Sequence, residues 1–264
     1  MKTGSAIKNI AAYHFVPVVD PEGLAAQLRA WAEAGELRGT VLVAKEGLNL
    51  FLAGVPASID AFLSVLCTDA RFADITVKVS VSPNVPFSRL KVKVKPEIIS
   101  FRRPGAGPDA GRAPMVAPQT LARWIGQGSD DDGRRLVLLD TRNREEVAYG
   151  SFTDAITLPI DNFTALPDAV LARRDAFADA TVVSFCTGGI RCEKAALWMR
   201  AQGMDNVLQL DGGILGYFEA VGGQGYAGSC FVFDDRIALD PALTAISRAE
   251  EAESHRSGAG APDA

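Results

Sequence analysis

The sequence predicts an α/β protein built from two domains, and three observations carry this prediction. The chain has 264 residues, which is long enough for two domains of ordinary size. Apolar runs of strand length alternate with helical patterns in both halves of the chain. Residues 102–117 are rich in Pro, Gly and Ala and lack apolar periodicity, as interdomain linkers do. We therefore place the first domain at 1–101 and the second at 118–246.

The first domain contains four predicted strands and two predicted helices in the order βαββαβ. Asp20 is a suitable N-cap for the first helix, Pro21 fits its first position, and Gly35 ends it. The second and third strands are joined by the Lys45-Glu46-Gly47 turn and form a hairpin. The strands are predicted at 8–17, 40–44, 48–53 and 75–81, and the second helix at 57–66. This order is that of a ferredoxin-like domain.

A basic strand is predicted after these elements, at 86–95. With the side-chain period of two, four basic residues share one of its faces: Arg89, Lys91, Lys93 and Lys95. Residues 86–103 hold six basic residues against a single acidic one, Glu97. One interpretation is an edge strand that lysine protects from aggregation. The other is a stripe that contacts the phosphates of a nucleic acid. The pattern favours neither.

The second domain alternates strands with helices, which predicts a parallel sheet. Strands are predicted at 134–140, 155–158, 181–185 and 207–210, and helical segments at 119–127, 144–149, 166–173 and 192–200. Reactive groups on such sheets lie beyond the carboxyl ends of the strands. The last segment, 247–264, consists largely of Ala, Glu, Ser and Gly without an apolar face, and we expect it to be disordered.

A cysteine follows the predicted strand at 181–185 and opens a glycine-bearing loop before the next helix. The loop residues are Cys186, Thr187, Gly188, Gly189, Ile190 and Arg191. The two glycines permit positive φ and let successive N–H groups converge. The helix N-terminus adds partial positive charge and the arginine adds a full charge, so thiolate is favoured over thiol. We therefore predict an ionised nucleophile at Cys186 that is open to an anionic or electron-poor guest, the alternative being a buried structural cysteine on a tight turn.

Composition excludes several classes of protein. No apolar run approaches the about 20 residues that cross a bilayer, and the N-terminus lacks the apolar core of a signal peptide, so we expect a cytoplasmic protein without membrane association. The four cysteines form no CxxC pair, and no nucleotide or flavin motif is present. The sequence therefore gives no evidence of a metal site or of an organic cofactor. Cys192 and Cys230 are predicted as buried packing residues.

The second half resembles a rhodanese domain over roughly 118–228. The similarity rests on a run from Leu139-Asp140-Thr141-Arg142 through Glu146 to Leu158-Pro159, on the Cys186 loop, and on Leu210-Asp211-Gly212-Gly213-Ile214. Asp140 and Arg142 are expected to form an ion pair that shapes the domain. Thr187 stands where many rhodaneses have arginine, and Ser151 replaces the usual histidine. These departures argue against plain thiosulfate sulfurtransferase activity.

The whole chain, over about 8–240, is similar to the bacterial tRNA uridine hydroxylases. Four runs carry this resemblance: Ala44–Asn49, Pro86–Lys93, Cys186–Lys194 and Gly228–Asp234. It implies oxygen-dependent hydroxylation at carbon 5 of the wobble uridine 34, which yields 5-hydroxyuridine. It also implies tRNA as partner through its anticodon region and molecular oxygen as co-substrate. The family's cysteine corresponds to Cys186.

Three hypotheses for function follow. In the first, a tRNA-modifying monooxygenase, the Cys186 thiolate attacks carbon 6 of a flipped-out uracil while the basic face holds tRNA phosphates. In the second, a sulfurtransferase carries sulfur as a Cys186 persulfide. In the third, the second domain is only the scaffold of a non-enzymatic adaptor, which the intact cysteine loop disfavours.

Overall fold

The computed structural model describes residues 6–107 and 111–246. The segment 247–264, for which we predict disorder, lies outside the described residues. Among the helices of the described ranges, none has both the length and the apolarity needed to cross a membrane.

The first domain is an antiparallel sheet with two helices on one face, and it confirms the predicted ferredoxin-like order. The strands are β1 (Ile7–Phe15), β2 (Arg38–Ala44), β3 (Gly47–Gly54) and β4 (Val77–Ser82), and the helices are α1 (Pro21–Ala34) and α2 (Pro56–Leu66). The strands are arranged β4-β1-β3-β2. The predicted cap of α1 is present, since the Gly23 N–H donates to Asp20 Oδ1 at 2.9 Å.

The basic segment forms β5 (Leu90–Val94), which extends the sheet beyond β2 and runs parallel to it. It is therefore an edge strand. Val92 is buried in the core beneath the sheet, whereas Lys91 and Lys93 are exposed on the opposite face. The lysines therefore lie on an edge strand and are also exposed as a basic stripe. This geometry is compatible both with protection of the edge from aggregation and with contact to phosphates.

The second domain is a parallel sheet flanked by helices, as predicted. The sheet is arranged β6-β11-β10-β7-β9, with β6 (Met115–Val116), β7 (Arg135–Asp140), β9 (Ile156–Thr157), β10 (Ala180–Phe185) and β11 (Val207–Leu210). All six residues of β10 are buried, which is typical of a central parallel strand covered on both faces. The helices are α3 (Pro118–Gln127), α4 (Arg144–Val147), α5 (Leu166–Leu171), α6 (Ile190–Ala201) and α7 (Gly213–Val221).

Two short antiparallel pairs complete the second domain. Strand β8 (Gly150–Phe152) pairs with β12 (Tyr226–Gly228), and β13 (Cys230–Phe231) pairs with β14 (Ala238–Leu239). The expected Asp140–Arg142 ion pair is confirmed at 2.6 Å, and both side chains are fully buried. The Ser151 hydroxyl donates to Asp140 Oδ2 at 2.7 Å, so the serine that replaces the usual histidine joins this buried network.

Besides the four short strands of these pairs, which the sequence patterns do not predict, two further elements differ from the predicted pattern. Met115–Val116, inside the predicted linker 102–117, form β6 and pair with the end of β11. A strand of two residues within a Pro- and Gly-rich segment gives no pattern from which it could be predicted. No helix is predicted after the strand at 207–210, yet Gly213–Val221 form α7. Gly212 and Gly213 suggest a turn, but their positive φ angles of 71° and 62° turn the chain directly into this helix.

Candidate active site

The Cys186 loop lies where β10 ends and α6 begins, as predicted. Gly189 has a φ of 101°, which turns its N–H toward the sulfur, and this N–H donates to Cys186 Sγ at 3.2 Å. The Cys186 side chain is 0 % exposed, so the sulfur lies below the surface of the loop. We expected a sulfur open to its guest, and the structure instead leaves Cys186 without solvent-exposed surface.

The surroundings of Cys186 hold its thiol ionised. Burial alone would raise the pKa of this thiol. A hydrogen bond from Cys192, the charge of Arg191 and backbone N–H groups at the start of α6 outweigh burial and lower the pKa to about 5. The thiolate therefore prevails at neutral pH, and the role of Cys186 as a nucleophile stays a prediction.

Cys192 is buried as predicted, but it also contacts the Cys186 sulfur. Burial and the neighbouring Cys186 thiolate raise its pKa well above that of an ordinary thiol, so it stays protonated and donates to Cys186. Its sulfur also lies 3.3 Å from Thr141 Oγ1. Cys230 is likewise buried, and its thiol donates to the Phe231 carbonyl at 3.8 Å. Cys192 therefore supports the loop in addition to filling space, whereas Cys230 is a packing residue, as predicted.

Arg191 is held by a carboxylate that the sequence patterns do not single out as a site residue. Its Nη1 and Nη2 donate to the two oxygens of Glu146, each at 2.6 Å, and both side chains are buried. The Thr187 hydroxyl donates to the same carboxylate at 3.4 Å. Burial raises the pKa of Glu146, but the Arg191 hydrogen bonds and charge lower it further, and the net pKa lies below its usual range. Because Glu146 engages both terminal nitrogens of Arg191, the effect of Arg191 on the Cys186 sulfur comes from its positive charge.

The first turn of α7 holds the loop from the other side. The Ile214 N–H donates to the Cys186 carbonyl at 2.9 Å, and the Leu215 N–H donates to the Thr187 carbonyl at 3.0 Å. A Cβ atom on Gly213 would lie only 2.5 Å from the Cys186 carbonyl oxygen. Glycine at 213 is thus required by close approach as well as by its positive φ.

Replacing Gly213 with alanine should therefore displace the loop. We expect a loss of about 2 kcal/mol from backbone strain and a higher pKa of Cys186, because the convergent N–H groups separate. Gly222→Ala is the matched control, since Gly222 ends the same helix at a φ of 72° but has nothing within 4 Å of an added Cβ. Thermal unfolding and the thiolate ultraviolet absorbance measure both effects. An equal pKa of Cys186 in the two variants would contradict this role of Gly213.

The two domains meet over the first turns of α6. Tyr13 of β1 donates its hydroxyl proton to Glu193 Oε2 at 3.1 Å, and Arg112 Nε donates to Glu193 Oε1 at 3.2 Å. Lys194, which is 2 % exposed, pairs with Glu46 at 2.8 Å and Glu97 at 3.1 Å. Each buried charge thus has a partner in another segment, and these contacts position the loop against the first domain.

A cleft of about 1070 Å³ lies between the domains, with the cysteine loop on one wall. Of the predicted loop residues, five line it: Cys186, Thr187, Gly188, Ile190 and Arg191. Gly189 lies outside that lining, behind the loop. Of the predicted basic stripe, Lys95 reaches the cleft, while Arg89, Lys91 and Lys93 lie along the adjoining sheet edge. The structure thus brings the loop together at the cleft and places most of the stripe beside it.

Comparison with known proteins agrees with this architecture. Residues 7–98 match the model of the UPF0176 acylphosphatase-like domain, and residues 118–220 match that of the rhodanese-like domain. A protein of Xanthomonas euvesicatoria pv. vesicatoria named tRNA uridine(34) hydroxylase is 64% identical over 92% of this chain and 98% of its own length. The chain belongs to the tRNA uridine(34) hydroxylase family. The resemblance deduced from the sequence motifs is therefore confirmed.

A second tRNA uridine(34) hydroxylase, from Xylella fastidiosa, is 62% identical over 91% of this chain and 94% of its own length. A solved structure of a Saccharomyces cerevisiae homolog of single-domain rhodanese and the Cdc25 phosphatase catalytic domain covers 44% of this chain and 87% of its own. That comparison has a TM-score of 0.35 at 18% sequence identity.

The site residues that sequence patterns missed lie inside motifs quoted for the resemblance. Glu146 belongs to the run that begins at Asp140, and Glu193 and Lys194 close the cysteine loop motif. The available signal was charge. Three of the four residues at 191–194 are charged, at the start of a predicted helix that packs into a domain. Tyr13 gave no such signal, since aromatic residues are common on strands.

Proposed function

We propose that this chain hydroxylates carbon 5 of uridine 34 in tRNA, with molecular oxygen as co-substrate and Cys186 as the nucleophile. One observation carries the proposal: the chain matches proteins named tRNA uridine(34) hydroxylase over nearly their whole length. The ionised Cys186 beside a cleft supports it from the structure. The relatives lend no support to the alternative of a persulfide-forming sulfurtransferase.

The chemistry balances in four steps. The Cys186 thiolate adds to carbon 6 of uracil, and the electron pair of the carbon 5–carbon 6 bond moves to carbon 5. Carbon 5 then bonds to oxygen, and protonation gives a hydroperoxide. A two-electron reductant of the thiol class cleaves the oxygen–oxygen bond, leaving a hydroxyl on carbon 5 and releasing water. Loss of the carbon 5 proton and of the thiolate restores the double bond.

The loop residues serve this scheme by keeping the sulfur ionised and by admitting the base. Arg191 and Cys192 stabilise the thiolate before attack and after its departure. The base must displace loop atoms to reach the buried sulfur, and at Gly188 the loop borders open space, with nothing within 4 Å of an added Cβ. The anticodon bases must be splayed from their stack to enter, as is usual in recognition of single-stranded RNA.

The test is nucleoside analysis of tRNA from cells that lack the gene and carry either the wild-type chain or Cys186→Ala. We expect 5-hydroxyuridine only with the wild type. Transfer RNA with 5-fluorouridine at position 34 should trap the carbon 6 adduct, which mass spectrometry detects. Product formation by Cys186→Ala without any adduct would end the thiolate mechanism, and thiosulfate:cyanide turnover without 5-hydroxyuridine would favour the sulfurtransferase.

The basic stripe carries a prediction of its own. Exchanging Lys91, Lys93 and Lys95 for glutamine should weaken tRNA binding and lower the slope of log Kd against log salt by about 2–3, because each lost phosphate contact removes about 0.7–0.9. Binding titrations at several salt concentrations measure this slope. The control exchanges three exposed arginines of the second domain outside the cleft: Arg123, Arg173 and Arg174. Unchanged binding in the lysine variant would leave the stripe as a protected edge strand.

A further inference from the structure

The face of the first-domain sheet opposite α1 and α2 forms the second wall of the cleft. Side chains alternate along β3, so that Leu50 and Leu52 pack beneath the sheet while Phe51 lies on the other face. Phe51 is half-buried and lines the cleft, across from the wall that carries the Cys186 loop. This wall thus presents an aromatic ring from a rigid strand.

Strand register places a cation on each side of this ring. Phe51 pairs with Ala11 of β1 and Thr40 of β2, which in turn pair with Lys78 of β4 and Lys91 of β5. Because neighbouring strands lie about 4.8 Å apart, the two lysines start about 10 Å from the phenylalanine on either side. The intervening alanine and threonine are short, so they leave the ring uncovered.

The two walls of the cleft differ in the charged and aromatic side chains that line them. Lys78 makes no ion pair within 6–107 and 111–246, and its amino group reaches across to Gly212 and Gly216 at the start of α7, in the second domain. On the first-domain wall three basic residues outnumber two acidic ones, whereas on the opposite wall four acidic residues outnumber three basic ones, so the first-domain wall is the more cationic. The charged residues of the first-domain wall are Asp74, Lys78, Lys95, Glu97 and Arg102, and those of the opposite wall are Arg112, Arg191, Glu193, Asp211, Glu219, Asp234 and Arg236. Phe233, 62 % exposed, adds a second ring at the lining of the same cleft.

We propose that this sheet face binds the anticodon-loop nucleotides next to the target uridine, with Phe51 stacking on a neighbouring base and Lys78 and Lys91 contacting the flanking phosphates. An aromatic ring between cations is the arrangement that recognises single-stranded RNA. This sheet face, which we call the platform, holds the RNA strand on the first-domain wall. The uridine then turns toward Cys186 on the other wall. The inference rests on the proposed function for the identity of the RNA.

The experiment uses the full chain and an anticodon stem-loop with uridine at 34 and 2-aminopurine in place of the adjacent base. Phe51→Leu should weaken binding about tenfold and remove the fluorescence quenching that stacking causes, whereas Phe51→Tyr should retain both. Lys78→Gln should lower the salt slope by about 0.7. Thermal unfolding of each variant shows that the fold is kept, and the tyrosine variant separates loss of the ring from disturbance of the sheet.

Binding of Phe51→Leu within twofold of wild type, with unchanged quenching, would overturn the platform. Equal losses in Phe51→Leu and Phe51→Tyr would also overturn it, because the ring would then not be what matters. A different result would contradict the proposed function. If the wild-type chain bound the stem-loop and quenched its fluorescence but formed no 5-hydroxyuridine, the platform would be supported and the proposed reaction would be wrong.

Discussion

Replacement of Cys186 by serine should reduce the formation of 5-hydroxyuridine at least about a thousandfold, because the hydroxyl of serine stays protonated where the thiol is ionised. Single-turnover assays with purified tRNA and nucleoside mass spectrometry measure this loss. Cys67→Ser is the matched control, since Cys67 is the exposed cysteine of the described residues and lies outside the cleft lining. Wild-type rates in Cys186→Ser would remove the cysteine from the reaction.

The same thiolate sets the pH dependence. The pKa of Cys186 is lowered to about 5, so the reactive form persists through neutral pH and is lost as the pH falls through that value. We expect the rate to be constant near neutrality and about half of its maximum near pH 5. Cys192→Ala should shift this midpoint upward by removing a donor, whereas Cys192→Ser keeps one. A shared midpoint for both variants would show that the Cys192 hydrogen bond does not set the pKa.

Exchange of Glu146 for glutamine should cost about 3–5 kcal/mol of unfolding free energy, because it removes the carboxylate that both pairs with and hydrogen bonds to the buried Arg191 guanidinium, and leaves the Cys186 thiolate as the nearby negative charge. For a chain of this size the melting temperature should fall by about 10 °C. Glutamine keeps the volume of glutamate, so the loss reports charge and hydrogen bonding and excludes a cavity. Calorimetric or circular-dichroism melting measures it.

Asp161→Asn serves as the control for that prediction. Asp161 pairs with Arg144 at 2.6 Å, the same distance as in the Glu146–Arg191 pair, but its side chain is 70% exposed. Water screens such a surface pair, so its loss should change the melting temperature little. If the two variants melted alike, burial would not be what makes the Glu146 pair strong.

Much of the site follows from local sequence because its determinants are local. An apolar run, a cysteine, two glycines and a helical pattern are contiguous from 181 to 200, and the strand, loop and helix form there as predicted. Likewise, the Asp20 cap, the hairpin at Glu46–Gly47 and the alternation along β5 depend on neighbours a few residues apart. Hydrophobic periodicity and turn chemistry are sufficient for such features.

Other features escaped prediction because their causes are distant in the chain. Strand β6 has two residues and exists only through its pairing with β11, about 90 residues later. Helix α7 starts on two glycines that are typical of a turn, and its contact with the Cys186 carbonyl explains why the chain continues as a helix. Sequence patterns also predicted an open sulfur, and the packed loop covers it instead.

By itself, the sequence determined the two α/β domains, because hydrophobic periodicity indicates their strands and helices. It also determined the family and the cysteine loop, because contiguous motifs carry both. Only the tertiary structure decided that Arg191 pairs with Glu146, that Tyr13 reaches Glu193 and that Phe51 faces the cleft. The physical reason is that a buried charge or ring takes its partner from whichever segment packing brings near. That choice depends on the arrangement of all the elements together, which no local pattern contains.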